Sequence, residues 1–491
     1  MKLTKVLNGI KYSGEIPQDA DVTAVTCVSS ECGAGSLFFA LKGEKLDGAA
    51  FIPDAVSRGC RYAVVSADSN VDTDKAGCTV IKAVNGREAM AIASSNIVNG
   101  AEKSLTICGI TGTSGKTTVS YLMDSIMREE RPSTVIGTIQ HLINGETVDS
   151  ANTTPEAFTL HSLLEKAVKN GAKHAVMEVS SHSLKLKRVH ALDFDAAIFT
   201  NISRDHMDFH LTEEDYIDSK CILFRDRLKS SGVAAINIDD ANASKFIKAS
   251  TAGVITYGIK SDKALVKPLN VIPSGDGMII ELATPAGPLT INTALKGPFN
   301  IYNIMAVVAA ATGLGYSGEN IVKGIERLKS VSGRFEAVNA GQPFTVIVDY
   351  AHKPDALDNV LRAAREITKG KLISVFGCGG DRDKGKRPLM GAISEKYADF
   401  TILTSDNPRT ESPDTIIDEI KTGFSGTGKF TVVADRREAI KTAVKSARPG
   451  DCLVIAGKGH ETYQIVGKVK NHFDDREEAR AALEEIYGHK N

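Results

Sequence analysis

No charge of one sign dominates this sequence. Over 491 residues, 59 Lys and Arg stand against 60 Asp and Glu, a formal net charge of −1. That argues against a dedicated nucleic-acid binder, which carries a basic stripe, and means that any anionic ligand is held by local charges rather than by the field of the whole chain. Long apolar runs are also missing. The richest, IMAVVAAATGLG at 304–315, is well short of the ~20 residues that a membrane-spanning helix needs. The N-terminal MKLTKVLNGIKYSGEI has no apolar stretch behind its lysines, so no secretory signal is expected. Paired cysteines are absent too. Cys27, Cys32, Cys60, Cys78, Cys108, Cys221, Cys378 and Cys452 are scattered, with no CxxC and no Cys/His cluster at zinc spacing. Several sit in apolar runs, which suits buried free thiols in a reducing compartment. There is no short-period repeat and no low-complexity tract. A soluble cytoplasmic protein is expected.

What is present is ordinary globular material, 42% hydrophobic and 24% charged, able to bury cores without staples. At about 150 residues per domain, the length corresponds to about three domains. Residues 1–101 carry short β-like runs, SLFFALKG and RYAVVSA, and the polar NGAEK at 99–103 marks a boundary. Residues 102–334 alternate helix-like segments with the strands SLTICGIT, HAVMEVSS, AAIFTNIS, GVAAINI and GVITYGI, which implies a parallel sheet with helices on both faces. MIIELATPAGPLTI (278–291) reads instead as a hairpin, and FNIYNIMAVVAAATGLG as a buried helix ending at glycine. Residues 335–491 repeat the α/β rhythm. The expected fold class is therefore α/β in three domains: a smaller N-terminal α/β domain, a central P-loop parallel sheet with helices on both faces, and a C-terminal Rossmann-like α/β domain. Ligands collect at the carboxyl ends of the strands of such sheets, so the polar residues just after each strand are the candidates.

The strongest local signal is GITGTSGKTT at 109–118, between the strand SLTIC and the helix TVSYLMDSIM. Successive N–H groups of a glycine-rich turn make an anion nest, and the helix N-terminus adds partial positive charge. Gly112, Thr113, Ser114, Gly115 and Thr118 form this cradle for ATP. Lys116 reaches the β/γ-phosphates and the Thr117 hydroxyl binds Mg²⁺. Ile110 stands where the strict phosphate-loop pattern GxxxxGK[ST] has its first glycine. No NKxD tetrapeptide for guanine is found. A phosphate loop alone does not separate ligases from kinases, motors or switches.

GITGTSGKTT resembles the GxTGTxGKTT loop of the Mur ligase family, ATP-dependent amide-bond formers of peptidoglycan synthesis. The resemblance continues in order through TNISRDHMDFH (200–210), GPFNIYN (297–303), SGRFE (332–336), DYAHKPDAL (349–357), GCGGDRDKGKRP (377–388), DNPR (406–409) and AGKGHE (456–461). The last three most resemble the diaminopimelate-adding type. Glu178 ends the strand HAVMEV, where a carboxylate faces the phosphate loop and suits hard Mg²⁺. His206 and His210 stand four apart, but HExxH is absent, and the resemblance makes His206 a second-site Mg²⁺ ligand. Lys220 looks like an ordinary helix lysine. The resemblance makes it N6-carboxylysine, a carbamate that turns a cation into an oxygen anion able to organise Mg²⁺. Lys116, Glu178, His206 and Lys220 are thus the implied catalytic set.

Asn152, Thr153, Thr154, Ser180 and Arg188 resemble muramyl-dipeptide contacts. Short hydroxyls and an amide suit a hydroxyl-rich substrate, and Arg188 can pair an anion. NTTP also reads as a helix cap. One implied polar contact falls on Leu186. Ser29 occupies the place of the family's Asp-Ser-Arg uridine loop, here Val28-Ser29-Ser30 without the charged flanks, with residues 42–46 as the adjoining loop. Asn303, Arg334 and Asp349 resemble nucleotide contacts, with His352 a neighbour. Arg382, Asp406, Asn407, Pro408, Arg409, Gly457 and Glu461 resemble a diaminopimelate pocket. An arginine fork suits the distal carboxylate that lysine lacks, and an acid can take the ammonium.

The implied function is an ATP- and Mg²⁺-dependent, ADP-forming ligase. It joins meso-2,6-diaminopimelate to the D-Glu of UDP-MurNAc-L-Ala-D-Glu through an acyl phosphate, as a monomer with no nucleic-acid partner. The alternatives are the lysine-adding ligase, a folylpolyglutamate synthetase, and an idle scaffold that retained the fold.

Overall fold

Strands with both faces covered read as nearly continuous apolar runs, and those of this chain assemble accordingly. The computed structural model describes residues 1–43, 46–150, 152–274, 277–426 and 428–488. Glu44 and Lys45 of the loop expected beside the uridine site lie outside the described residues. By internal contacts the chain divides into two units: Met1–Lys267 with Ala283–Pro288 and Met305–Gly324, and Pro268–Leu282 with Leu289–Ile304 and Ile325–Asn491.

The first unit holds two sheets. The smaller runs in the order Tyr12–Ser13, Thr79–Ala83, Tyr62–Ser66, Ser36–Phe39, Ala24–Thr26. Its first strand is antiparallel and the other four are parallel. SLFFALKG and RYAVVSA supply two of its central strands. The larger runs Gly253–Tyr257, Leu228–Asn237, Phe194–Phe199, Thr106–Thr111, His174–Glu178, Ser133–Ile136, Gln140–Ile143, Glu146–Asp149. Its first six strands are parallel and its last two form an antiparallel extension. All five strands read from 102–334 are there, and Thr106–Thr111 lies between His174–Glu178 and Phe194–Phe199. Three neighbouring strands therefore deliver the phosphate loop, Glu178 and Thr200-Asn201 at one edge. Helix Lys116–Met127 buries Val119, Leu122, Met123 and Ile126, which fixes the direction of its N-terminus.

Helix Gly86–Ile97 packs against helix Ala157–Lys169. Between them the Ser95 hydroxyl donates to Glu102 Oε1 at 2.5 Å, and His161 Nδ1 stands 3.3 Å from Glu102 Oε2. All three side chains are buried.

The second unit carries a six-stranded sheet in the order Glu336–Ala337, Thr345–Asp349, Cys452–Ala456, Leu372–Phe376, Phe400–Leu403, Phe430–Val432. All but the first strand are parallel. The expected hairpin is Gly277–Ala283 paired antiparallel with Leu289–Thr293, and the apolar run forms helix Pro298–Gly313. Among the described residues all eight cysteines are free, five of them buried, and no helix is long and apolar enough to cross a membrane.

Candidate active site

The phosphate loop leaves Thr106–Thr111 through Gly112 (φ +145°) and enters helix Lys116–Met127 from Gly115 (φ +89°). Thr200 and Asn201, at the end of the neighbouring strand, brace it. The Thr113 N–H donates to Asn201 O (2.8 Å), the Ser114 N–H to Asn201 Oδ1 (3.0 Å) and the Thr200 hydroxyl to Ser114 O (2.7 Å). Thr113 Oγ1 lies 2.9 Å from the Tyr216 hydroxyl. Lys116 Nζ folds over the loop to Gly112 O (2.9 Å) and Thr113 O (3.1 Å), while Lys220 Nζ, on a buried side chain, donates to the same Gly112 O (3.0 Å). Two ammonium groups thus converge on one carbonyl. A Cβ on Gly112 would stand 1.9 Å from Thr200 Oγ1, in a backbone region that L side chains avoid. Gly112→Ala is expected to weaken ATP binding by at least about tenfold and, through the strained loop, to lower the melting temperature as well. An unchanged nucleotide Kd would contradict this reading of the loop.

Glu178 is buried at the edge of the same sheet. Its Oε2 accepts from the Thr117 hydroxyl (3.1 Å) and the Thr138 hydroxyl (3.0 Å), and its Oε1 from the Thr138 N–H (2.8 Å). Thr138 Oγ1 is also 3.0 Å from Thr153 Oγ1, so one hydroxyl chain runs from the phosphate loop into NTTP. Thr154 does not cap the following helix. Ala157–Lys169 has Glu156 at its N-cap without a side-chain bond, and the Thr154 hydroxyl instead donates to Glu178 O at 2.8 Å. Ser180 caps helix Ser181–Lys185 through the Ser183 N–H. Arg188 donates to Thr154 O (2.9 Å) and pairs with Glu156 (2.5 Å). Asn152 is exposed.

His206 takes a left-handed backbone (φ +56°), and its half-exposed ring places Nε2 3.1 Å from Asp205 Oδ2. The ring meets His182 edge-on at 4.7 Å. Burial, then the His210 charge, lowers His182 to about 4, so it stays neutral near pH 7. Among the described residues no three His, Cys, Asp or Glu side chains form a metal cluster. The nearby donors are hydroxyl and carboxylate oxygens of Thr117 and Glu178. Ser29 begins a single 3₁₀ turn, Ser29–Glu31, and its hydroxyl bond to Asp54 lowers that carboxyl.

In the second unit, parallel strands release DYAH, GCGGDR, SDNPR and AGKGHE from their carboxyl ends. Asp349 accepts from the Phe335 N–H (2.7 Å) and the Ala351 N–H (2.8 Å). Burial raises its carboxyl against the pull of Arg334. The Arg334 guanidinium lies 4.7 Å over the Tyr350 ring. Asn303 is buried in helix Pro298–Gly313, its amide donating to Asn300 Oδ1 (2.9 Å).

The residues of DNPR and AGKGHE meet around Lys458, whose side chain is fully buried. Its Nζ is 3.1 Å from Asn407 Oδ1, 3.4 Å from Glu461 Oε2 and 3.7 Å from Asp406 Oδ1. The Asn407 amide also donates to Glu461 Oε2 (2.9 Å). Burial works to raise Asp406, but the Lys458, Arg436, His352 and Lys386 charges together hold it below its ordinary value. Burial and then Asp406 raise Glu461. Gly457 (φ +121°) keeps this packing open, since a Cβ there would come within 2.6 Å of Asp406 Oδ2. Arg409 has φ +52° and donates from Nη1 to Gly380 O (2.8 Å). Pro408 carries the chain between it and Asn407, and Arg382 is exposed on the facing loop. Acids with a buried amide and lysine, and guanidinium groups on the adjoining loops, offer partners for both charges of a zwitterion.

Three family models match in order: Mur ligase family, catalytic domain, at residues 21–103; Mur ligase middle domain at 110–311; and Mur ligase, glutamate ligase domain, at 333–459. A UDP-N-acetylmuramoyl-L-alanyl-D-glutamate–2,6-diaminopimelate ligase of Geobacter metallireducens is 42% identical over 507 residues, 99% of this chain and 98% of its own. The chain belongs to the Mur ligase family. A solved structure of a UDP-N-acetylmuramoyl-L-alanyl-D-glutamate–2,6-diaminopimelate ligase is 32% identical with TM-score 0.70, covering 99% of both chains. The MurF ligase of Thermotoga maritima, solved in complex with ADP, shares the fold at 18% identity and TM-score 0.63, over 96% of this chain and 98% of that one.

Several positions of this Mur ligase support the candidate site although the sequence reading gave them no role. Thr138 bridges Glu178 and Thr153, Asn201 braces the phosphate loop, and Lys458 ties three pocket residues together. Asn201 and Lys458 were within reach, since each lies inside a quoted motif. Thr138 was not, because its role depends on a strand pairing across the sheet.

Proposed function

We propose that the chain is an ATP-dependent, ADP-forming ligase of peptidoglycan synthesis that adds meso-2,6-diaminopimelate to the D-Glu of UDP-MurNAc-L-Ala-D-Glu. Its working modules are residues 1–101 for the UDP moiety, 102–334 for ATP and 335–491 for the amino acid. It acts as a monomer in the cytoplasm, where its nucleotide substrates are found and eight free thiols persist. The observation that carries the reading is the Asp406–Asn407–Lys458–Glu461 cluster beside Arg409, in a chain whose full-length relatives are named for diaminopimelate. No observation favours the lysine-adding alternative, which leaves the Arg409 fork without a carboxylate. The folylpolyglutamate synthases among the solved structures share the fold alone, one of them at 17% identity. The intact loop, Glu178 and Lys220 argue against an idle scaffold.

A carboxylate is a poor electrophile, so it must be activated. An oxygen of the D-Glu γ-carboxylate attacks the γ-phosphorus of ATP, the β–γ bridge breaks, and ADP departs, leaving an acyl phosphate. The free amine of diaminopimelate attacks the acyl carbon, loses a proton, and inorganic phosphate departs with the bridging oxygen. Lys116 and the loop N–H groups meet the charge on the transferring phosphoryl group. Asn303, Arg334 and Asp349 are assigned to the nucleotide. Ser29, Asn152, Thr153, Thr154, Ser180 and Arg188 are assigned to the UDP-MurNAc-dipeptide. Arg382 and Arg409 take the distal carboxylate, and Asp406 and Glu461 the ammonium.

The donors present fit Mg²⁺. Thr117 and Glu178 offer hard oxygens 3.1 Å apart, carbamylation of Lys220 would add two more, and the half-exposed His206 ring would offer a nitrogen. When bound, Mg²⁺ supplies charge neutralisation on the phosphates. The test is ADP release by the purified protein with each substrate omitted in turn, and with diaminopimelate and lysine in competition. ADP should appear only with the nucleotide-sugar dipeptide present, and diaminopimelate should be the amine incorporated. Preferential incorporation of lysine would overturn the amino-acid assignment.

A further inference from the structure

The two arginines assigned to the amino acid sit on different loops, Arg382 after Leu372–Phe376 and Arg409 after Phe400–Leu403. Among the described residues neither forms a salt bridge with a carboxylate, although the Arg409 charge helps to lower Asp381. Arg409 spends Nη1 on a backbone carbonyl, Gly380 O, and Arg382 donates to Asp381 O at 3.2 Å. Their spacing is therefore set by how the two loops are fastened together: the Gly380 N–H donates to Asn407 O (2.9 Å), and an ion-paired clip built on a buried arginine adds side-chain bonds between them.

Arg387 lies in helix Lys386–Tyr397, and its side chain is fully buried. It grips Glu411 with both ends of its fork, Nη1 to Oε2 and Nη2 to Oε1, each at 3.0 Å. Nη1 also donates to Glu419 Oε2 (2.7 Å) and Nη2 to Gly379 O (3.2 Å). From Glu411 the clip crosses to the other loop, because Oε1 accepts the Asp381 N–H at 2.6 Å. Asp381 answers in the reverse direction: its carboxylate accepts the Thr410 hydroxyl (2.7 Å) and the Thr410 N–H (3.2 Å). Each substrate-facing arginine is thus flanked by a clip residue, Asp381 before Arg382 and Thr410-Glu411 after Arg409. Asp381 and Arg409 both carry left-handed backbone, φ +55° and +52°, a conformation that costs energy outside glycine and persists where surrounding contacts impose it. The Arg387 guanidinium, and then the Asp381 N–H, hold Glu411 down at about 2, so the clip is ionised near neutral pH.

We infer that Arg387 and Glu411 are positioning residues for amino-acid selection, holding the Arg382 and Arg409 loops at the separation that fits the distal carboxylate of diaminopimelate. The inference rests on the pocket assignment made above. A bidentate guanidinium–carboxylate pair fixes both distance and angle, and a displacement of about 1 Å at such a distance can cost up to ~100-fold.

The test uses the full-length protein with Arg387→Lys, which keeps the charge but not the fork, and Glu411→Gln, which keeps the shape but not the charge. Steady-state kinetics are run against each of the three substrates, with thermal melting alongside. Both variants are expected to raise KM for diaminopimelate by roughly ten- to a hundredfold and to lower its preference over lysine. KM for ATP and for the nucleotide-sugar dipeptide should stay within about twofold. If Arg387→Lys does not fold, Glu411→Gln decides. A lowered melting temperature with KM for diaminopimelate unchanged would leave the clip as mere scaffolding and overturn the inference. Arg409→Ala measured beside them separates the two levels. If it raises KM for diaminopimelate while the clip variants do not, the clip alone fails; if it leaves that KM unchanged, the pocket assignment fails first.

Discussion

Lys116→Ala is expected to reduce ADP release by about three orders of magnitude while leaving the fold intact. Lys116 is the first residue of helix Lys116–Met127, and its Nζ already sits over the loop carbonyls Gly112 O and Thr113 O. Swinging from those carbonyls would bring it to a γ-phosphoryl group. Removing one preorganised donor from a site of developing charge costs about 10²–10³ in rate, and here the donor carries a full charge. The loss should fall on kcat as well as on KM for ATP, since the charge it meets grows in the transition state. A Lys116→Ala protein with near-normal kcat would remove the phosphate loop from the chemistry.

The second large effect belongs to Arg409. Truncating one partner of a desolvated charge pair costs ~2–5 kcal/mol, so Arg409→Ala should raise KM for diaminopimelate by about 30-fold or more and change KM for ATP little. Because Arg409 has φ +52°, alanine also strains the backbone. Arg409→Asn, a residue that tolerates this region, controls for that, and both variants should show the same KM increase. Equal increases for diaminopimelate and ATP would contradict the pocket.

Acid should expose the second unit's ion pairing. The Arg387 guanidinium, and next the Asp381 N–H, lower Glu411 from an ordinary 4.5 to about 2. Between those values the unfolded chain binds the proton that the folded chain refuses, so the stability contributed by this group is present above about pH 5 and is lost as the pH falls toward 2. The Glu411→Gln protein should therefore show a shallower loss of melting temperature over that window than the unaltered chain. Parallel curves would mean that Glu411 is not ionised in the fold.

Much of the fold was legible because the strands are buried on both faces and end at loops rich in glycine and charge. Thr106–Thr111, His174–Glu178 and Phe194–Phe199 stand out as apolar runs, and the order of the motifs places their loops at one edge. The antiparallel extension Gln140–Ile143 and Glu146–Asp149 was not legible, since it buries the polar His141, leaves Glu146, Thr147 and Asp149 exposed and carries no motif. Site chemistry was legible where one residue does one thing, as with Lys116 on a phosphate loop or a guanidinium for a carboxylate. It was opaque where function depends on partners far apart in sequence. Thr138 reaches Glu178 forty positions on, Asp54 meets Ser29 across a turn, and Arg387 finds Glu411 and Glu419 on a neighbouring segment. NTTP looked like a cap, yet the Thr154 hydroxyl prefers the carbonyl of Glu178 because that strand end leaves an acceptor beside it.

The most direct test of the account follows one oxygen atom. The nucleotide-sugar dipeptide is prepared with heavy oxygen in the reacting D-Glu carboxylate and turned over with ATP and diaminopimelate. Activation by phosphoryl transfer predicts one heavy atom in each inorganic phosphate released and none in ADP. Unlabelled phosphate, or label found in AMP with pyrophosphate as co-product, would contradict it.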